Sequence, residues 1–260
     1  MSFAAGIACS SAFGKKLALF VIGAFAVISG GANATLMDRG GGMIYDDQLN
    51  ITWLQNANYA ATELSDTRRD QIIADVVSVP NTGGAPHTLV TSDFQKSGST
   101  YTGRMTWWGA MAWAQDLVYG GFDDWRLATI NLTSPSLSPH SCSDHNAATC
   151  KASGNELGYM YYIDLGGNSG NNKTGNQTVG GVTLNNIQPD DWSATEFNFP
   201  FAHYFLFDVG LQLFSNKLRE LSAWAVRPGD VAAAPEPASL LLFGVGALGL
   251  ALSRRRGRRR

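Results

Sequence analysis

A short stretch in the middle of the chain holds the residue types best suited to chemistry. It contains His140, Cys142, Asp144, His145 and Cys150. Cysteine and histidine this close together could bind zinc, and a thiolate beside a histidine could act as a nucleophile. However, the spacing H-x-C-x2-H-x4-C matches none of the common zinc patterns, and the surrounding Ser, Pro and Thr residues are typical of a plain loop. The sequence therefore favours no metal site and no catalytic residue here.

Other enzyme motifs are missing from the sequence. It contains no Gly-rich phosphate loop, no H-E-x-x-H pair and no G-x-S-x-G elbow. Each of these motifs places specific groups around a phosphate, a metal or a nucleophile. We therefore expect a protein that is not an enzyme and has no cofactor.

The N-terminus has the features of a secretory signal peptide. Lys15 and Lys16 precede the apolar run LALFVIGAFAVISG, which is followed by Ala32-Asn33-Ala34. A charged region, an apolar core and an A-x-A pattern in this order predict a signal peptide over residues 1–34, cleaved after Ala34. The alternative, a buried helix, is disfavoured because the run is apolar on all faces and charged only on its leading side.

The last segment, residues 231–260, combines a proline motif, an apolar span and a basic end. Pro235-Glu236-Pro237 comes first, followed by apolar residues at about 238–252 and an arginine cluster at 254–260. As a helix the span would be about 23 Å long, short of the roughly 30 Å hydrocarbon core. Because positive flanks stay in the cytoplasm, we expect a C-terminal transmembrane helix with the rest of the protein outside.

This ordered tail resembles the PEP-CTERM sorting signals of Gram-negative bacteria. The residues that match are Pro235, Glu236, Pro237, Arg254, Arg255 and Arg256. The resemblance implies recognition by an exosortase, a membrane-embedded cysteine transpeptidase or protease. It also implies transient anchoring in the inner membrane and export linked to extracellular polysaccharide. The alternative is an ordinary C-terminal anchor.

Export changes the interpretation of the two cysteines in the central stretch. Cys142 and Cys150 are the only cysteines that follow the predicted signal peptide. In an oxidising compartment, a disulfide that closes a short loop is the simpler account of such a pair. Zinc binding and free thiols are the alternatives.

The region between the two ends is acidic. Residues 35–235 contain 11 Lys and Arg against 20 Asp and Glu, a net charge of about −9. A surface this acidic repels polyanions, so we expect no nucleic-acid partner. The C-terminal arginines are better explained as a membrane flank.

The body, residues 35–230, has the pattern of an α+β domain with an antiparallel sheet. Strand-like segments come first, with a hairpin turn at Asp46-Asp47, and a short helix is predicted at 66–77. A longer helix over about 106–119 should begin at the N-cap Thr106, with its aromatic face in the core. A short strand at 125–127, an amphipathic helix near 156–166, a mobile loop to about 181 and further strands follow.

The body also resembles the bacterial Lcl C-terminal domain, a family of extracytoplasmic domains. The similarity covers most of residues 43–230. Its most specific parts are the Trp-Arg-Leu core of GGFDDWRLAT and the terminal Ala-Val-Arg-Pro-Gly-Asp of AWAVRPGD. Ala128 stands where the family usually has proline. The residues that carry the motif, expected to have structural roles, are Trp125, Arg126, Leu127, Trp224, Arg227, Pro228 and Gly229. The resemblance implies a C-type-lectin-like fold with two helices beside a twisted antiparallel sheet.

The resemblance suggests two further sites. A lectin-like fold would favour calcium, with candidate ligands Asp190, Asp191 and Glu196. We favour the alternative, in which the two aspartates cap a turn and Trp192 is in the core. The motif arginines could bind a ligand, but pairing with carboxylates such as Asp123, Asp124 or Asp230 is the favoured interpretation.

Three functions are compatible with these observations. The favoured one is a non-enzymatic protein of the cell surface or extracellular matrix, whose lectin-like body binds polysaccharide or a surface protein. The second is an extracytoplasmic enzyme that uses the Cys/His loop at 140–150. The third is a purely structural matrix component, for which no specific ligand is expected.

Overall fold

The computed structural model describes residues 36–130 and 142–231 of the 260-residue chain. The predicted signal peptide, the predicted sorting tail from residue 232 onward and His140 lie outside these residues. Within the two described ranges, no helix combines the length and the apolar character needed to cross a membrane.

The described residues form an α+β fold, as predicted. The helices, in chain order, are α1 (Tyr59–Glu63), α2 (Asp66–Val76), α3 (Trp107–Gln115), α4 (Ala147–Ala152) and α5 (Glu156–Tyr159). A π-helical turn, Met160–Asp164, continues α5, and a 3₁₀ turn, Thr91–Asp93, precedes β6. The strands, in chain order, are β1 (Leu36–Asp38), β2 (Met43–Asp46), β3 (Ile51–Leu54), β4 (Ser78–Val79), β5 (His87–Thr88), β6 (Phe94–Ser97), β7 (Thr100–Met105), β8 (Arg126–Leu127), β9 (Gly175–Val179), β10 (Val182–Ile187), β11 (Asp190–Asn198), β12 (Phe201–Leu206), β13 (Leu211–Asn216) and β14 (Ala225–Pro228).

The largest sheet has five strands and joins the two ends of the domain. Its order is β1-β2-β3-β14-β8, and all of its pairings are antiparallel. The last strand, β14, therefore lies between β3 and β8. Arg39, which follows β1, forms an ion pair with Asp230 at 2.6 Å, and Thr52 donates to the Gly229 carbonyl at 2.7 Å. These two contacts hold Gly229 and Asp230, which follow β14, against the start of the domain.

The remaining strands form smaller antiparallel sheets. Strands β11, β12 and β13 make a three-stranded meander, and β4–β5, β6–β7 and β9–β10 are two-stranded. The prediction of two helices beside one sheet is therefore wrong in detail. The smaller sheets pair strands that are neighbours in the sequence, and five helices of 4 to 11 residues lie among the described strands.

The core is rich in aromatic side chains. Trp53 and Trp224 pack with ring centroids 4.8 Å apart, and Phe207 contacts Trp224 at 5.7 Å. The aromatic face of α3 is buried, as predicted, because Trp107, Trp108 and Trp113 all point into the domain. This packing gives the domain one contiguous hydrophobic core.

The predicted helix at 106–119 is correct in its start and wrong in its end. Thr106 caps α3 by accepting a hydrogen bond from the Gly109 amide at 3.2 Å. The helix ends at Gln115, after which Arg68 binds the carbonyl of Asp116 at 2.9 Å. Gly120 and Gly121 then form a turn with positive φ angles instead of ending the helix.

Two other segments differ from the sequence-based expectation. The region 156–166 is helical as predicted, but nearly all of its side chains are buried, so it is not amphipathic. Part of the predicted mobile loop forms the β9–β10 hairpin, which turns at Gly180 and Gly181. The two glycines supply the positive φ angles that a tight hairpin turn requires.

Candidate functional site

The loop that contains Cys142 and Cys150 is closed by a disulfide in the structure. The Cα atoms of the two cysteines are 4.5 Å apart, and both side chains are buried. His145 points away from them, with its Nδ1 atom 3.3 Å from the carbonyl oxygen of Tyr162. The bonded sulfurs offer neither a thiolate nucleophile nor a zinc ligand. His140 lies outside the described residues, so this part of the predicted cluster has no structural account.

The structure brings the two family-motif segments together. Strand β8 carries Arg126 and Leu127, and it pairs with β14, where Ala225 lies opposite Leu127 and Val226 lies opposite Arg126. The motif tryptophans, Trp125 and Trp224, are both buried. Pro228 ends β14 at the surface, and Gly229 follows it with a φ of 76°. Burial of the tryptophans, strand pairing of β8 with β14 and the positive φ of Gly229 are consistent with structural roles for these residues.

The motif arginines form ion pairs, but only one has a predicted partner. Arg227 binds Asp124 through two hydrogen bonds of 2.7 and 3.0 Å, and its guanidinium lies 3.9 Å from the centre of the Phe122 ring. Arg126 binds Glu156 at 2.7 and 2.8 Å instead of one of the aspartates predicted for it. Strand β8 lies beside the start of α5, where Glu156 is the first residue.

The acidic residues around Trp192 do not converge on one point. Asp190 and Asp191 are the first residues of β11 and do not cap a turn. Asp190 binds Arg104 at 2.7 and 3.0 Å, whereas Glu196 binds Lys217 at 3.0 Å. In residues 36–130 and 142–231, no three His, Cys, Asp or Glu side chains are grouped to hold a metal ion.

The third of these acids, Asp191, lies in the core without a hydrogen-bond donor among the described residues. Its strand partner in β12 is Phe205, which is fully buried. Burial raises the pKa of Asp191 well above its usual range, and the nearby charge of Asp190 adds to the effect. The surroundings of Asp191 therefore favour its protonated, uncharged form.

A second pair of buried acids was not foreseen from the sequence. Asp46, at the end of β2, and Asp164, in the π-helical turn, lie close enough for each acid to affect the pKa of the other. Burial raises the pKa of Asp46 to about 6 and that of Asp164 well above its usual range. Two negative charges close together in a buried site repel each other, so the site favours a proton on the pair. The positions are 118 apart by their residue numbers, and no local pattern links them.

The most exposed apolar cluster lies on the three-stranded sheet. We call Phe197, Phe201 and Phe214 the aromatic platform; they come from β11, β12 and β13 respectively. The rings of Phe197 and Phe214 are stacked, with centroids 4.4 Å apart and an interplanar angle of 13°. Phe201 meets Phe214 edge-on at 5.8 Å. Phe197 and Phe214 remain 38% and 37% exposed, which is unusual for adjacent phenylalanines.

His203 supports the platform from below. Its ring meets Phe197 at 5.3 Å and Phe214 at 6.3 Å, and its Nδ1 atom lies 3.3 Å from the Leu213 carbonyl oxygen. Burial lowers the pKa of His203, so its imidazole is neutral at neutral pH. The platform is therefore an uncharged aromatic surface on an antiparallel sheet. Sequence reasoning missed it, although the alternating aromatic residues of FNFPF at 197–201 are a detectable signal.

The comparisons with known proteins identify the C-terminal segment. Residues 233–256 match the PEP-CTERM protein-sorting motif. The predicted resemblance of the tail to this signal is therefore confirmed. The motif implies an exported protein that an exosortase processes, with a transiently membrane-anchored tail, and that ends at the cell surface. No match was found among curated proteins or solved structures. The Lcl-type, C-type-lectin-like body stays a prediction.

Proposed function

We propose that the body is a non-enzymatic binding domain that the sorting motif delivers to the cell surface, and that its ligand is a polysaccharide bound at the aromatic platform. The observation that carries the proposal is the exposed stacked pair of Phe197 and Phe214. Sugar rings present C–H groups on their faces, and these pack against flat aromatic side chains in the same way as other apolar groups. Monomeric proteins seldom leave such patches without a partner.

The position of the platform suits a surface ligand. Phe201 and Phe214 lie in the regular β12–β13 ladder, in which His203 lies opposite Phe214, whereas Phe197 lies where the register of β11 with β12 shifts. A platform on paired strands loses little conformational entropy when it binds. The acidic character of the body favours a neutral or cationic polysaccharide over a polyanionic one.

Binding to purified polysaccharide tests the proposal. The protein recovered from its host should co-sediment with exopolysaccharide isolated from the same cells, and Phe197→Ala with Phe214→Ala should weaken that binding at least about tenfold. Val118→Ala is the matched control, because Val118 is another exposed apolar side chain, at 69% exposure, outside the platform. Binding that survives the double substitution contradicts the proposed site. Retention by a surface protein instead of polysaccharide contradicts the proposed ligand.

We further propose that processing cuts the chain at or near Pro235-Glu236-Pro237. The sorting match covers these residues, and Asp230, five positions before Pro235, pairs with Arg39 at the start of the domain. Intact mass spectrometry of protein from the native host should show a chain that ends in this region. A full-length C-terminus would contradict processing and leave the tail as a permanent anchor.

A further inference from the structure

A fully buried lysine lies beside a carboxamide and a carboxylate. Lys217 follows β13, and its side chain is 0% exposed. Its Nζ atom is 2.8 Å from Oδ1 of Asn81 and 3.0 Å from Oε2 of Glu196. The rings of Trp107 and Trp108 lie 4.2 and 5.8 Å from the same nitrogen. An amine, a carboxamide and a carboxylate thus meet at one point, with two indole rings beside the amine.

The orientation of the Asn81 amide is fixed by its neighbours. Trp108 Nε1–H donates to Oδ1 at 2.7 Å, and Nδ2 of Asn81 donates to the Ala85 carbonyl at 2.8 Å. An indole N–H cannot accept and a carbonyl cannot donate, so the oxygen must face Lys217. The carbonyl carbon is one bond, about 1.2 Å, from the oxygen that Lys217 already contacts. The amine is therefore close to the carbon that it would attack.

The backbone of Lys217 is also held in place. Its amide donates to the Pro200 carbonyl at 2.9 Å, and its carbonyl accepts from the Trp107 amide at 2.9 Å. Glu196 is fixed on the other side, because its Oε2 accepts from the Thr82 amide at 2.9 Å. Groups held in this way react as if they were at very high concentration.

We propose that Lys217 and Asn81 form an intramolecular isopeptide bond, with Glu196 as the proton carrier. Glu196 takes a proton from the Lys217 ammonium, and the free amine attacks Cγ of Asn81. The Trp108 indole N–H stabilises the negative charge that develops on Oδ1. A proton from the attacking nitrogen passes through Glu196 to Nδ2. The Cγ–Nδ2 bond then breaks, and ammonia leaves.

The reaction balances without any other reagent. One C–N bond forms and another breaks, no atom is oxidised or reduced, and the proton first taken by Glu196 leaves with ammonia as ammonium. Trp107 and Trp108 lie over the Lys217 amine, whose side chain is fully buried, and so limit the access of water to the attacking nitrogen. The bond would join the loop after β4 to the end of β13 across 136 positions of the chain. This proposal is independent of the ligand proposed above.

Mass spectrometry of the protein purified from its host tests the bond directly. A tryptic digest should contain a branched peptide that joins Asn81 to Lys217, about 17 Da lighter than its two parts because ammonia is lost. Cleavage after Lys217 should be absent. Linear peptides with Lys217 cleaved normally would overturn the proposal. A loss of the same mass confined to the Asn81 peptide would show a cyclic imide and would overturn it too.

Two substitutions define the mechanism. Glu196→Gln keeps the shape of the side chain but cannot accept the proton, so the branched peptide should be lost. Lys217→Arg keeps the positive charge but lacks the amine, so it should also remain unlinked. Lys151→Arg is the matched control, because Lys151 is exposed on α4, and it should be as fully linked as the unaltered protein. Full linkage in Glu196→Gln would overturn the role of Glu196.

Discussion

The surroundings of Lys217 and those of Asp164 both bury ionisable side chains, but they supply very different partners. Lys217 contacts a carboxylate, a carboxamide and two indole rings. Asp164 faces Asp46, another acid, and neither of its oxygens has a hydrogen-bond donor among the described residues. Asp191 in the core is in the same situation as Asp164.

The difference separates two ways to bury a charge. Around Lys217 the positive charge is compensated by the carboxylate of Glu196. Removing either side chain leaves the other charge without its partner in a largely apolar environment. Around Asp164 and Asp191 the charge is avoided, because the acids take up protons. The first arrangement should make the domain sensitive to substitution, and the second should make its stability depend on pH.

The largest effect is expected at Lys217. Lys217→Met keeps most of the side-chain volume but leaves Glu196 and Asn81 without their cationic partner. We expect the free energy of unfolding to fall by at least about 3 kcal/mol, measured by urea denaturation. In protein that carries the proposed bond, Lys217 is an uncharged amide nitrogen, and the decrease then comes from loss of the bond instead. Lys151→Met, at an exposed position, should change the stability little. Equal stability of Lys217→Met and the unaltered protein would show that Lys217 is not a compensated charge.

The acid pair should give a pH-dependent stability. The folded protein holds Asp46 at a pKa of about 6, above the ordinary 3.8 of the unfolded chain. The stabilisation from this group is therefore complete below about pH 4 and is lost as the pH rises through about 6. Urea denaturation should show that the free energy of unfolding decreases by up to about 3 kcal/mol as the pH rises from about 4 to above about 6.

Asp46→Asn provides the check on that pH dependence. The amide keeps the oxygen that accepts from the Gln48 and Leu49 amides at 2.9 and 3.0 Å, but it does not titrate. The slope of stability against pH between 4 and 6 should become smaller in this variant. An unchanged slope would assign the titration to other groups.

Asp124 acts in the opposite direction, because its hydrogen bonds with Arg227 lower its pKa below the ordinary 3.8. Its contribution to the free energy of unfolding is therefore present above pH 3.8 and is lost only as the pH falls below that value.

Asp191→Asn should stabilise the protein at neutral pH. Folding must protonate Asp191, because its pKa is raised well above the usual range, and this uptake costs free energy above the pKa of the unfolded chain. The amide has nearly the same shape and needs no proton. We expect a gain of about 2 kcal/mol at pH 8 that disappears near pH 4. Asp123→Asn, at an exposed position, should give no such gain. A loss of stability at pH 8 would mean that Asp191 is ionised in the folded protein.

Local patterns in the sequence were enough to predict much of the fold. The start of α3 was readable because Thr106 is a capping residue followed by a helical spacing of apolar side chains. The end of α3 could not be predicted from the local sequence, because Arg68, 48 positions away, binds the carbonyl of Asp116 there. Similarly, the position of β14 between β3 and β8 in the five-stranded sheet depends on pairings between distant segments, which no single stretch of sequence specifies.

The candidate sites also differ in whether one local stretch of sequence or contacts between distant segments create them. The sorting motif lies in one contiguous segment, so its residues could be recognised directly from the sequence. The groups around Lys217 come from the loop after β4, from α3, from β11 and from the end of β13. Asp46 and Asp164 likewise lie on different elements. Such constellations exist only after folding, and sequence spacing carries no signal for them.

The smallest expected effect compares the two motif arginines. Only 9% of the Arg227 side chain is exposed, and it lies over the Phe122 ring, whereas 36% of the Arg126 side chain is exposed. Solvent screens an exposed ion pair more strongly, and burial adds packing on the aromatic ring. Arg227→Ala should therefore destabilise the domain by about 1 kcal/mol more than Arg126→Ala, measured by urea unfolding at one pH. Added salt should reduce the effect of Arg126→Ala more than that of Arg227→Ala, because screening acts on accessible charges. If Arg126→Ala is the more damaging change, its contact with Glu156 anchors α5 more strongly than exposure alone indicates.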